Sequence, residues 1–339
     1  MTSRASLIRP LVVAAFVLAF IVVVLGAYVR LSAAGLGCPD WPGCYGHLTP
    51  TGAEQAAADG AFDGATVEVG KAWKEMIHRY AAGTLGLLIL VIAALAIQYR
   101  RERLVQVSFA VGLLALVIAQ GLLGMLTVTW QLKPLIVTAH LVFGLATLSL
   151  LWWLAMTLSR RRASAWRAAT PFLGSSLPRT RRFALIALLV LAMQLALGGW
   201  TSSNYAAVAC PDVPKCQGAW WPSMDGRDAF VLWRGLGVNY EGGVLAQPAR
   251  VAIHFTHRLG ALLATAFLLL AAIRVLRIRS DRFARRAALC VLGALGLQLT
   301  LGITMVQFGF PLWLATAHNA GAALLLLAVV ALNRALRPA

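Results

Sequence analysis

Four of the six histidines in this sequence follow one spacing rule. His78 and His140 are 62 residues apart, and His257 and His318 are 61 residues apart. His78 precedes His257 by 179 residues, and all four stand near the start of a long apolar run. Histidine is costly inside apolar membrane helices, so a repeated placement indicates a chemical role in two copies of one unit.

Iron ligation is the chemistry that this pattern favours. Two imidazoles at one depth on adjacent helices can supply both axial ligands of a haem iron, and helix bundles build such sites from facing side chains. We therefore predict one haem held by His78 and His140, and another held by His257 and His318. Hydrogen bonding to a nearby carbonyl is the simpler alternative. A metal site without porphyrin is disfavoured because no carboxylate or thiolate cluster completes it.

Charged side chains flank the first histidine of each pair. Arg79 and Arg258 directly follow His78 and His257. At the edge of a membrane, each guanidinium could pair with a haem propionate or simply extend its charged end into the interface. Both interpretations remain open for these two arginines.

Glu75 lies one turn before His78, so both side chains face the same side of a helix. An acid next to an iron site could move protons or stabilise developing positive charge, whereas the alternative is an ordinary interfacial acid. The matching position of the second copy is His254. This difference predicts that the first copy is reactive and that the second only holds its ligand.

Two cysteine pairs share the pattern C-P-D-x-P-x-C at an offset of 172 residues. Cys38 and Cys44 form one pair, and Cys210 and Cys216 form the other. Disulfides are permitted on the oxidising side of a membrane, and here each would be either a structural staple or a redox element. A zinc site would need further ligands, of which His47 is the only obvious one.

The elements that position these residues are membrane helices. The 339 residues are 60% hydrophobic and 12% charged, which is unlike a soluble globular domain. Eight apolar runs of about 20 residues can each cross a hydrocarbon core of about 30 Å. The predicted fold is therefore an all-α integral membrane protein. The runs are roughly 10–29, 76–98, 105–127, 135–158, 183–203, 251–273, 287–308 and 313–333.

The distribution of charge predicts the orientation. The chain carries 30 Lys and Arg against 12 Asp and Glu, a net charge of +18. Both termini and the loops on the same side hold 20 of the positive and 2 of the negative charges, which leaves 10 of each for the other side. Excess positive charge marks the cytoplasmic face, so both termini are predicted to be cytoplasmic and the histidines near the outer face. Nucleic acid is not needed to explain the basic composition.

Repeated motifs indicate a tandem duplication of a four-helix unit. Gln120-x3-Gly124 recurs as Gln298-x3-Gly302, at an offset of 178 residues. Because four spans is an even number, both copies point the same way and form two parallel four-helix bundles. The predicted parts are an N-terminal repeat, a cytoplasmic linker and a C-terminal repeat, at 1–158, 159–182 and 183–339.

Together, the E-x-x-H-R motif of Glu75–Arg79, the later histidines, the duplicated units and the outer cysteine pairs resemble the haem A synthase family. The resemblance covers essentially the whole chain. It implies oxidation of the C8 methyl group of haem O to a formyl group, which gives haem A for terminal oxidases. It also implies a location in the bacterial inner membrane, with haem sites near the periplasmic face.

The resemblance further implies a division of labour. His78 and His140 would hold the substrate haem O with Glu75 in catalysis, while His257 and His318 would hold a resident haem b. The implied partners are the lipid bilayer, haem O synthase, oxidase assembly factors and an electron acceptor. The family's paired cysteines match Cys38/Cys44, suspected of a redox part, and Cys210/Cys216. His254 departs from the pattern, but the 61-residue spacing favours His257 as the ligand.

Two other classes of protein compete with this interpretation. A dihaem b-type cytochrome that carries electrons from quinol would place its haems across the bilayer, whereas these four histidines share one depth. It would also leave Glu75 and the cysteine loops without a role. A transporter would show broken helices or charges at the midplane, and no acid or base lies deep within any predicted span.

Overall fold

Long helices make up most of the computed structural model, which describes residues 7–58, 67–102, 104–164, 177–278 and 282–337. Within these residues, eight helices have the length and apolar composition to cross a membrane, and no strand occurs. The predicted all-α membrane fold with eight spans is confirmed. The helices are α1 Ile8–Leu31, α2 Val69–Gln98, α3 Val107–Thr129, α4 Pro134–Ser164, α5 Leu177–Ser203, α6 Gln247–Arg277, α7 Arg282–Gln307 and α8 Leu312–Ala335.

Four helices begin well before the apolar runs predicted for them, and two of these, α5 and α7, begin at Leu177 and Arg282 instead of 183 and 287. Helix α2 begins at Val69 instead of 76, and α6 begins at Gln247 instead of 251. An apolar run marks the part of a helix that lies in lipid, but both helices continue into the outer loops through polar residues such as Lys71 and Arg250. His78 and His257 therefore lie about three turns from their helix starts, not within the first two turns.

The helix contacts form two rings. In the first half, α1 contacts α2 and α4, and α3 contacts α2 and α4; in the second half, α5 contacts α6 and α8, and α7 contacts α6 and α8. This arrangement is compatible with the two predicted four-helix bundles. The halves meet along α1 and α4 on one side and α5 and α8 on the other. Part of the predicted linker 159–182, namely 165–176, lies outside the described residues.

One continuous apolar core fills the end of the molecule that is remote from the four histidines. Its buried side chains come from all eight helices, and it includes Ala19 on α1, Leu85 on α2 and Leu145 on α4. A hydrogen bond from Trp152 Nε1 to the Leu327 carbonyl, at 3.1 Å, crosses between the halves within this core. The end of each bundle that carries the histidines lies outside this core, so other contacts hold it together.

The outer ends of the two halves are joined by polar contacts. The Arg30 guanidinium at the end of α1 donates to the Ser202 carbonyl of α5 at 2.7 Å and lies over the Tyr205 ring at 4.1 Å from its centroid. Lys133 lies in the short connection from α3 to α4 and is fully buried. It donates a hydrogen bond to the Gly235 carbonyl, and its Nζ lies 3.2 Å from the centroid of the Trp233 ring. The second outer loop therefore covers part of the first half.

Gly199 gives a test of the contact between the halves. A Cβ at this position would lie 3.0 Å from Leu141 and 3.2 Å from Thr138, both on α4. We expect Gly199→Leu to force α4 and α5 apart and to cost about 1–3 kcal/mol of stability, the usual range for overpacking. Thermal unfolding in detergent micelles, followed by helical circular dichroism, measures the loss.

Gly121→Leu is the matched control, since a Cβ at Gly121 on α3 meets no atom within 4 Å. It is expected to leave the melting temperature near that of the wild type. Equal destabilisation by both substitutions would contradict the close approach at Gly199.

Candidate active site

Each predicted histidine pair belongs to one ring of helices. His78 on α2 lies against α1 and His140 on α4 lies against α3, while His257 on α6 and His318 on α8 lie against α5 and α7. The Nδ1 atoms of His78, His140 and His318 are buried without a hydrogen-bond partner. Two separate pairs of partly buried imidazoles therefore occur, one in each half.

A glycine on the preceding helix supports every one of these four rings. A Cβ at each glycine would approach the Cε1 atom of its histidine to between 2.9 and 3.3 Å. Each ring therefore lies directly against helix backbone, in space that a side chain would fill. The four contacts are Gly26 with His78, Gly124 with His140, Gly198 with His257, and Gly302 with His318.

The two pairs fit the axial positions of haem. Paired imidazoles are an established donor set for haem iron, and the unpaired buried ring nitrogens require an explanation that ligation would supply. The apolar core includes Leu85 and Leu145 but stops short of the histidines that precede them on α2 and α4. Within the described ranges, no group of three or more His, Cys, Asp and Glu side chains gathers to hold a bare metal ion.

Glu75 is buried beneath the first cysteine loop, with 4% of its surface exposed. Its Oε2 accepts a hydrogen bond from the backbone N–H of Cys38 at 2.9 Å, and its Oε1 accepts one from Arg79 at 2.5 Å. Cys38 is joined to Cys44 by a disulfide. The carboxylate is therefore held between the disulfide loop and helix α2, one turn from His78.

Arg79 clamps the same loop to α2. Its Nη1 donates to the carbonyls of Asp40 at 2.9 Å and Gly43 at 2.5 Å, while Nη2 pairs with Glu75. A haem propionate would have to share these donors. The propionate role that we predicted for Arg79 stays a prediction, and the structure adds a contact that the sequence did not suggest.

The second half repeats the clamp without the acid. Arg258 donates to the carbonyls of Asp212 at 2.8 Å and Cys210 at 2.9 Å, on a loop closed by the Cys210–Cys216 disulfide. Its Nε donates to His254 Nε2 at 3.2 Å, so His254 takes the place that Glu75 has in the first half. The predicted propionate role of Arg258 likewise stays a prediction.

His254 faces the second cysteine loop. It is buried, with 5% exposure, and packs edge-on against Phe310 in addition to its contact with Arg258. His257, one turn further on, lies away from the loop and contacts Gly198 and Gln194 of α5. This placement agrees with the 61-residue spacing, which favours His257 over His254 as the ligand.

The aspartate of the C-P-D-x-P-x-C pattern organises each loop. Asp40 accepts hydrogen bonds from the backbone N–H groups of Tyr45 and Gly46 at 2.6 and 2.9 Å. Asp212 accepts the equivalent bonds from Gln217 and Gly218 at the same distances. Sequence reasoning gave these aspartates no role, although their repetition in both patterns was a usable signal.

Comparison with known proteins gives a consistent result. A family model described as cytochrome oxidase assembly protein matches residues 9–330. A haem A synthase of Shewanella oneidensis is 43% identical over 319 residues, which cover 94% of this chain and 93% of the relative. Haem A synthases of Methylobacterium sp. and Caulobacter vibrioides are each 30% identical, over 92% and 94% of this chain and 87% and 93% of their own lengths.

The Asp212 loop predicts a response to pH. The N–H of Gly218, together with that of Gln217, holds the pKa of the Asp212 carboxyl below its ordinary value. A lowered pKa in the folded state gives stabilisation that is complete above the ordinary value of about 3.9 and is lost as the pH falls through the lowered value. We expect the protection of the Gln217 and Gly218 amides against hydrogen exchange to fall several-fold between pH 6 and pH 3.

Asp212→Asn should remove most of this dependence, because the amide cannot lose a proton. The test compares protection factors, which correct for the intrinsic effect of pH on exchange. An unchanged pH response in the variant would show that another group controls the loop.

Proposed function

The chain belongs to the cytochrome oxidase assembly protein family, and on that basis we propose that it acts as a haem A synthase, which oxidises the C8 methyl group of haem O to the formyl group of haem A. The observation that carries the proposal is the unequal environment of two similar histidine pairs. Only the first pair has a buried carboxylate one turn away, at Glu75. The second has His254 in that place.

The first half supplies the substrate site in this proposal. His78 and His140 would hold the iron of haem O, and the buried Glu75 would accept protons released as the methyl group is oxidised. Both Glu75 oxygens already accept hydrogen bonds, from Cys38 and Arg79, which fix the side chain in place. The Cys38–Cys44 disulfide maintains the loop geometry that provides one of these donors.

The second half supplies the resident cofactor site. His257 and His318 would hold haem b, which provides one-electron redox chemistry when bound. The Gly198 and Gly302 contacts place both imidazoles against backbone, where the rings have little freedom to turn. Arg258 and the Cys210–Cys216 loop close this site without adding a carboxylate at the position of Glu75.

The protein is a multi-pass inner-membrane protein, as its eight apolar helices and its bacterial relatives indicate. We propose that both termini are cytoplasmic and that both histidine pairs lie near the periplasmic face, because the excess of 18 positive charges falls on the side of the termini. The proposed partners are haem O, an electron acceptor, haem O synthase and oxidase assembly factors.

Glu75→Gln tests the catalytic assignment. The amide keeps the size of the side chain but cannot take up a proton, so conversion of haem O to haem A is expected to fall by about 100-fold or more. Haem b content should stay at the wild-type level. Chromatography of extracted haems during turnover in membranes measures both quantities.

Glu68→Gln is the control for this substitution. Glu68 lies two turns before Glu75 and is exposed. Its carboxylate pairs with Lys71 at 2.7 Å. We expect its variant to convert haem O at the wild-type rate. Normal conversion by Glu75→Gln would show that Glu75 is not the catalytic acid or base.

Pigment analysis of His257→Ala and His78→Ala tests the division into two sites. The His257 variant is expected to lose haem b, because one axial ligand is gone, and the His78 variant to keep it while losing haem O and haem A. The measurement is haem type and amount per polypeptide after purification in detergent.

Two other results would contradict the assignment. Two equivalents of haem b with no modified haem in the wild type would indicate a dihaem electron carrier. Loss of haem b from the His78 variant and not from the His257 variant would reverse the two sites.

A further inference from the structure

Three of the four histidines have a glutamine partner. Each glutamine lies one helical turn before the glycine that supports the ring, so the same helix presents both residues to one histidine. The three sets are Gln120 and Gly124 with His140, Gln194 and Gly198 with His257, and Gln298 and Gly302 with His318. The repeated spacing in the sequence therefore corresponds to a repeated contact.

The glutamine amides contact both the backbone and the rings of these histidines. Gln194 Nε2 lies 3.0 Å from the His257 carbonyl oxygen and 3.1 Å from its Nδ1. Gln298 Nε2 lies 3.2 Å from Nε2 of His318, and Gln120 Nε2 donates to the His140 carbonyl at 2.7 Å. Each amide is therefore within hydrogen-bond distance of an atom of the histidine itself.

A second glycine makes room for each amide. A Cβ at Gly144 would lie 3.1 Å from Gln120 Nε2, and one at Gly321 would lie 2.6 Å from Gln298 Oε1. A Cβ at Gly260 would overlap Gln194 Oε1. These glycines follow His140, His318 and His257 by three or four residues. Because glycine has no side chain, each leaves space on the histidine helix for the glutamine amide.

His78 is the exception, and it lacks both parts of the arrangement. The residue one turn before Gly26 is Val22, where the other helices have glutamine. The residue three positions after His78 is Ala81, where His257 and His318 are followed by glycine. The ring of His78 has the Val22 backbone as its neighbour on α1, in place of a side-chain amide.

The amides are suited to hold a ligating imidazole. When one ring nitrogen binds a metal, the other carries a proton that needs an acceptor, and that acceptor fixes the orientation of the ring. The Oε1 atoms of Gln120, Gln194 and Gln298 are all buried without a partner. A half-turn of the Gln298 amide would bring its oxygen toward the ring, whereas Gln120 and Gln194 donate to the histidine carbonyl and so hold the backbone that carries the ring.

We propose that Gln120, Gln194 and Gln298 are positioning residues for the axial histidines, and that Val22 leaves His78 as the exchangeable ligand. The inference rests on the proposed function. It gives a physical reason why the second site keeps its haem while the first site releases its product. Two supported ligands, His257 and His318, keep the resident haem in place. One ligand with a glutamine partner and one without let substrate enter and product leave the first site.

The first experiment removes the support from the resident site. We expect Gln194→Leu and Gln298→Leu each to release haem b about 10-fold faster or more, the usual effect of losing a residue that orients a metal ligand. Transfer of haem from the purified holoprotein to excess apomyoglobin, followed by absorbance, gives the rate. The g values of the ferric low-spin haem, from electron paramagnetic resonance, should also change because they depend on ring orientation.

Gln307→Leu is the matched control on the same helix as Gln298. Gln307 is exposed at the end of α7. Its variant is expected to retain the wild-type release rate and g values.

The second experiment installs the missing support. The double variant Val22→Gln/Ala81→Gly is expected to retain several-fold more haem O and haem A per polypeptide through purification than the wild type does. It should also turn over more slowly, because product leaves the site more slowly. This gain of binding is a result that a merely destabilised protein would not give.

A third comparison tests the fit between glutamine and glycine. Gly260→Ala is expected to speed haem b release because the added methyl displaces the Gln194 amide. In a Gln194→Ala background, the same change should have a much smaller effect, since the added methyl then meets only the flexible end of the Leu197 side chain, at 3.1 Å.

The results separate the failure of this inference from the failure of the proposed function. Wild-type release rates and g values in both glutamine variants would overturn the positioning role, while the haem content and the effect of Glu75→Gln would still support the synthase. A wild-type protein without bound haem would overturn both.

Discussion

The central constraint is the packing of four partly buried imidazoles against the backbone of neighbouring membrane helices. A buried nitrogen without a partner costs about 1–3 kcal/mol, and several such atoms stand at the outer end of this molecule. An apolar core drawn from all eight helices offsets this cost at the opposite end. The molecule is thus divided into a packed end, which supplies stability, and a histidine end whose polar atoms are arranged for a ligand.

The two halves share the contacts that hold their cysteine loops but differ in one side chain near the histidine pair. Arg79 and Arg258 make equivalent contacts with the two cysteine loops, so both halves hold their loops in the same way. The side chain that contacts this arginine from one turn earlier differs between the halves. It is Glu75 in the first half and His254 in the second. A single substitution within a shared clamp is therefore enough to give one site an acid–base group and leave the other without it.

Much of this arrangement could be predicted, and the errors have specific causes. All eight spans were predictable because lipid requires long apolar segments. The starts of α2 and α6 were misplaced because a helix does not end where the membrane ends, and its polar extension carries no hydropathy signal. Gln120 and Gln298 were interpreted only as evidence of duplication, and their contacts with His140 and His318 could not be predicted from spacing. Lys133 counted as an outer charge in the sequence, yet the second loop buries it completely.

The sequence by itself determined the class of fold, and it predicted the duplication and the pairing of His78 with His140 and of His257 with His318. Hydropathy, charge and repeat spacing are properties of the linear chain, so they need no knowledge of packing. Only the tertiary structure decided that Glu75 lies under a disulfide loop, that His254 faces Arg258, and which glycines and glutamines touch the rings. These relations depend on the rotation of each helix about its axis and on the path of two long loops. Contacts between distant segments set both, and no local pattern encodes them.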